Sequence, residues 1–171
     1  MTTVSNWDAT SFFERLTATN RLAQQKHFAF RRVSGLQGFE DALATLQTTT
    51  AFVCVSDTAE GYTELNNTPR TRRVKTVFFA MRHPIDSMEG RLACFDTMRE
   101  LFRQFMSVLI LESTRLQERS LYLDPRIRFS EIPEYFASGC ACASFQVAVD
   151  IYTDLRYNEA EWLSAAAQDN P

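Results

Sequence analysis

The chain has 171 residues, 45% of them hydrophobic and 23% charged, with a formal net charge of -3. That balance fits one ordinary globular domain, excludes disorder over most of the length, and lacks the basic excess that nucleic-acid binding draws on. No run approaches the roughly 18 apolar residues of a membrane span. The start, Met1 to Asn6, has neither a basic n-region nor an apolar h-region, so the expectation is a cytoplasmic protein without a signal peptide.

The spacing predicts a first helix over about Asp8–Gln24, with Phe12, Phe13, Leu16 and Ala23 near one stripe and Asp8 or Ser11 as cap. His27–Val33 reads as a short strand closed by Ser34 and Gly35. Gly38 opens a short helix to about Leu46, with Phe39, Leu43 and Leu46 on one side, ended by Thr48–Thr50.

Two strands follow, Ala51–Asp57 and Arg72–Met81. In the second, Val74, Thr76, Phe78 and Ala80 share one face and Val77, Phe79 and Met81 the other. A strand apolar on both faces at its far end is expected to be central or covered on both sides. The connection, about Thr58–Thr71, holds Gly61, Asn66, Asn67 and Pro69, a turn signature. It exceeds the 2–5 residues usual for a hairpin loop, so it reads as a projecting loop or an extended hairpin.

His83-Pro84 ends the strand. Asp86 is then placed as the cap, with Glu89 three residues on, of a long helix over about 86–119. Its predicted apolar stripe is Met88, Leu92, Phe95, Met98, Phe102, Phe105 and Leu109, widened by Leu101, Val108 and Leu111. At 1.5 Å per residue it spans roughly 50 Å, and a break near Ser113 is allowed for.

The last third returns to strand. Leu121–Leu123 and Arg126–Ser130 are short candidates. Cys140–Tyr152 is the strongest, with Ala141, Ala143, Phe145, Val147, Val149 and Ile151 as an unbroken apolar face and a mixed face opposite. Asn158 and Glu161 cap a short helix through Trp162, and Ser164–Pro171 is a frayed tail. The whole predicts a single α+β domain over 1–171. It has an N-terminal elaboration over 1–50 and a core over 51–155, with a mixed or antiparallel sheet of four or more strands and the long helix packed on one face.

Little in the sequence points to catalysis. The two histidines, His27 and His83, have no helical Glu-x-x-His partner. Cys140-Ala-Cys142 puts two thiols on one strand face, whereas metal knuckles space cysteines on a turn, so buried apolar thiols are expected. Cys54 and Cys94 have no evident partner base. Gly35 and Gly38 flank a strand-to-helix turn without the further glycine or the Lys-Ser/Thr pair of a phosphate loop. The carboxylates of Asp57, Glu60, Glu64, Asp86, Glu131 and Glu134 show no pairing and read as solvated loop charge. These features predict no enzyme activity, cofactor or metal.

One charge cluster stands out. Arg70, Arg72, Arg73 and Lys75 close the long connection, while Glu60 and Glu64 sit at its start. Such a loop can meet an acidic protein surface or DNA passing nearby, or it can guard a strand edge.

A strand pair with a long polar loop, a long amphipathic helix and then a final hydrophobic strand resembles the tail-terminator, or tail-completion, family of long-tailed phages, over roughly Ala51–Leu155. The resemblance implies a non-enzymatic subunit that forms a homo-oligomeric ring, typically a hexamer, on the end of the tail tube. There it stops tube polymerisation and offers a docking surface to head-completion proteins, with no membrane or sequence-specific nucleic-acid partner. The protein would then be made in the host cytoplasm and end in the virion. Glu60, Glu64, Arg70, Arg72 and Arg73 become the candidate interface, because opposite charges on one projecting arm suit a head-to-tail contact. The alternatives are a monomeric adaptor or regulatory binding module and, behind it, a small hydrolase-like enzyme.

Overall fold

The structure is a computed structural model that describes residues 7–34, 37–39, 41, 51–133 and 139–162. Helices α1 (Ala9–Thr19) and α2 (Arg21–Gln25) lead into strand β1 (Phe28–Val33). Then come β2 (Ala51–Ser56), β3 (Glu60–Thr63), β4 (Arg70–Arg82) and the long helix α3 (Met88–Glu118). The chain closes with β5 (Leu121–Leu123), β6 (Phe129–Ile132), β7 (Cys140–Tyr152) and a 3-10 turn, Glu159–Glu161. The fold is α+β, as its sequence pattern predicts.

The seven strands form one mixed sheet in the order β1-β2-β4-β7-β5, with β3 also paired to β4 and β6 to β7. Among the described residues, β1–β2 is the parallel pair and the other pairs are antiparallel. The spine is β4–β7, paired along its length from Arg70↔Tyr152 to Arg82↔Cys140.

Alternation explains why β4 is central. Val77 and Phe79 point to one face, where Ala51, Val53, Val55, Ala141, Ala143, Phe145 and Val147 join them beneath α1 and α3. Phe78 and Ala80 point to the other, with Phe52, Cys54, Cys140, Cys142 and Phe39. Phe39, from the helical residues 37–39, stacks on Phe78 at 4.6 Å between ring centroids. Both faces of the strand's far end are therefore covered. The main core is aromatic: Phe13 meets Phe145 at 5.6 Å, and Phe79 meets Phe105 at 5.7 Å.

Several boundaries differ from the sequence reading. The first helix ends at Thr19, where Asn20 turns extended and its side chain accepts the Ala23 N–H as a new cap. Asn20 Nδ2 also donates to Gln104 Oε1 at 2.7 Å, tying this corner to α3. The long helix is capped by Ser87, whose Oγ accepts from the Gly90 N–H at 2.9 Å, not by Asp86. It runs unbroken through Ser113. Its buried stripe is Cys94, Phe95, Met98, Leu101, Phe105, Leu109 and Leu116, while Met88, Leu92, Val108 and Leu111 face outward.

Residues 7–33 share the main core and the sheet. The expected helical positions Leu43 and Leu46, the threonines Thr48–Thr50 and the tail 164–171 lie outside the described residues. No helix among the described residues is long and apolar enough to cross a membrane.

Candidate functional site

The long connection between β2 and β4 is a β-hairpin. Strand β3 pairs with the start of β4 from Glu60↔Val74 to Thr63↔Thr71, and the Glu64 N–H donates to the Arg70 carbonyl at 2.9 Å. Asn66 shapes the tip by accepting the Thr68 N–H at 2.9 Å, an Asx turn. Gly61 is required by close approach: a Cβ there would sit 1.8 Å from the Arg72 carbonyl oxygen. Residues 57–68 are all exposed, so the backbone is satisfied while the side chains touch little of the body. Leu65, at the tip, is 87% exposed, and Tyr62 is exposed beside it.

The four cations at the arm's base have different fates. Arg72 is committed within the subunit: its Nη2 donates to Asp124 Oδ2, and its Nη1 reaches Asp150 Oδ2 at 3.3 Å, directly across the β4–β7 pair. Lys75 Nζ donates to the Ser56 and Asp57 carbonyls at 2.9 and 2.8 Å, satisfying the open end of β2. Burial pushes its pKa down, against the pull of Asp57. Arg70 lies over the Tyr122 ring at 5.0 Å, a cation–π contact. Arg73 is exposed. Of the five candidate interface residues, Glu60, Glu64 and Arg73 thus present exposed side chains, Arg70 is exposed but stacked, and Arg72 is withdrawn into an internal tether.

A second surface feature was not read from the sequence. Along the C-terminal half of α3, Phe102, Met106, Leu109 and Ile110 form one wall of an open groove of about 460 Å³, and Leu123, Pro125 and Ile127 form the other. Ile110 is 68% exposed. At the rim, Arg126 and Arg128 line an adjoining hollow. The sequence signal was present in the run Val108-Leu-Ile-Leu111, which carries more apolar residues than one buried stripe can absorb.

His83 is buried at the end of β4, its Nδ1 2.8 Å from the Pro84 carbonyl oxygen. His27 adopts φ 56 in the α2–β1 turn. Burial pushes the Cys54 thiol up to about 12 and raises that of Cys142 as well, which keeps both protonated and poorly nucleophilic. No group of three or more metal-ligating side chains is gathered among the described residues. The chain matches no protein-family model and no curated protein.

Proposed function

We propose that this protein is a structural subunit that assembles head to tail into a closed ring of about six copies, as a tail terminator of a phage or prophage does. In this role it has no catalytic activity and needs no cofactor. The ring caps the tail tube and presents a docking face to head-completion proteins. The observation that carries the reading is the hairpin arm: β3 is an edge strand on the β4–β7 end of the sheet, and it and the tip beyond it carry an exposed Tyr62 and Leu65. Among the described residues β3 pairs with β4 alone, so its other edge is open for a second surface to cover. The single sheet under one long helix, in the element order of that family, supports the same assignment.

The test is mass, measured by sedimentation velocity and native mass spectrometry across concentration and salt, alone and with a tail-tube protein. The expected result is a concentration-dependent closed oligomer, strengthened at low ionic strength. A strict monomer with the tube present defeats the ring and favours the adaptor module. A stable two-fold dimer also defeats it. Charge reversal belongs at Arg73, because reversing Arg72 breaks an internal tether.

A further inference from the structure

We infer that the groove beside α3 is the seat for the hairpin arm of a second copy of this chain. This rests on the ring reading and assigns its contact surface. Three observations converge on that occupant. First, the arm and the groove lie on opposite edges of the sheet. β3 pairs with β4 on the side that β2 occupies further along, whereas β5 and β6 pair with the far edge of β7. A molecule therefore offers its arm in one direction and its groove in the other, which is the geometry of a repeating heterologous contact.

Second, the charges are complementary. The β3 strand and tip, residues 58–69, carry Glu60 and Glu64 and no Lys or Arg, and the exposed cations Arg70 and Arg73 stand on the β4 strand at the arm's base. On the groove rim, Asp124 pairs with Arg72 and, at 3.6 Å, with Arg126, whose side chain is 91% exposed, and Arg128 is exposed beside them, so cations outnumber the one carboxylate there. Third, the apolar chemistry matches. The tip offers an exposed Leu65 with Tyr62 behind it, and the groove offers Met106, Ile110 and Ile127 as an apolar bed. In the docked pair, Leu65 enters the groove between α3 and the β5–β6 segment. Glu60 and Glu64 meet Arg126 and Arg128 at its rim.

The experiment uses two full-length variants, Leu65→Asp in the arm and Ile110→Asp in the groove. Both positions are exposed in the subunit, so each variant should melt like wild type. Each alone should lose assembly, its self-association weakened at least about tenfold by a charge stranded in the contact. Mixed one to one, they should form a heterodimer that grows no further. The arm of the Ile110→Asp chain is intact, and so is the groove of the Leu65→Asp chain, which gives one competent contact per pair. In a separate arm, Leu65→Cys/Ile110→Cys should give intermolecular disulfide ladders under oxidation, and neither single cysteine variant should. If wild type forms the ring and both aspartate variants still do, the seat is wrong while the ring stands. If wild type is monomeric at every concentration and salt, the ring and the seat fall together. A mixture that restores full rings, or none at all, overturns the one-contact geometry.

Discussion

Replacing Arg72 with Ala tests how the arm is anchored. Arg72 joins β4, β7 and the turn after β5, through Asp150 and Asp124. Its side chain is 22% exposed, and those of Asp124 and Asp150 are 11% and 27% exposed. Hydrogen bonds to charged groups contribute about 1.5–3 kcal/mol in partly buried settings, whereas exposed ion pairs contribute about 0–1. These exposures fall between, and the truncation leaves Asp150 without its cation and Asp124 with Arg126 alone, at 3.6 Å. The expected loss is about 2 kcal/mol, which for a chain of this size lowers Tm by about 4–8 °C. Urea unfolding should show a lower midpoint at unchanged slope. Arg72→Lys keeps the charge but loses the planar fork, so it should recover only part of the loss. In a double-mutant cycle of Arg72→Ala with Asp124→Asn, the coupling should be about 1 kcal/mol or more. A loss below about 0.5 kcal/mol, the level of a solvated surface pair, would refute the tether.

The core makes a graded prediction: Phe105→Ala, at a fully buried position between Phe13 and Phe79, should cost about 3–5 kcal/mol, and half-buried Phe102→Ala should cost clearly less by the same urea titration. Equal losses would contradict the packing. Asp124 should give a pH signature, because the Arg126 backbone N–H and then Arg72 hold its carboxyl below the ordinary carboxylate value. Its folded pKa is depressed, so its contribution is complete above about pH 4 and is lost as pH falls through the folded value. Stability curves of wild type and Asp124→Asn should therefore converge in acid; parallel curves would remove the assignment. Ser120 holds φ 58 just past the end of α3, a conformation that costs a non-glycine residue about 1–2 kcal/mol. Ser120→Gly should accordingly raise the melting temperature, and a fall would show that the side chain contributes more than the backbone strain it imposes.

What the sequence disclosed, and what it hid, follows from the range of the forces involved. The far end of β4 was legible because Val77-Phe-Phe-Ala80 has apolar residues in both phases of a two-residue period, which only a strand covered on both faces can bury. The β7 face was legible for the same reason, and Ala141 to Val147 lie in the main core as their alternation requires. The helix was legible in kind but not in face. Met88 and Leu92 continue the three-and-four spacing of the core stripe, yet both are exposed, and periodicity carries no information about where a neighbour stops. The cation cluster misled for a related reason. Arg70, Arg72, Arg73 and Lys75 are adjacent in sequence, but the strand turns alternate side chains to opposite faces. Asp124 and Asp150, which claim Arg72, lie 52 and 78 residues away. A partner that distant leaves no local trace. The groove was hidden because its two walls come from α3 and the β5–β6 segment, and only the excess of apolar residues on α3 hinted at it. That excess matters for the assembly reading. The helix's own core takes Leu109 and, two turns on, Leu116. Ile110 and Leu111 continue the apolar face into solvent, which leaves apolar surface on the edge of the sheet opposite the arm that carries Leu65.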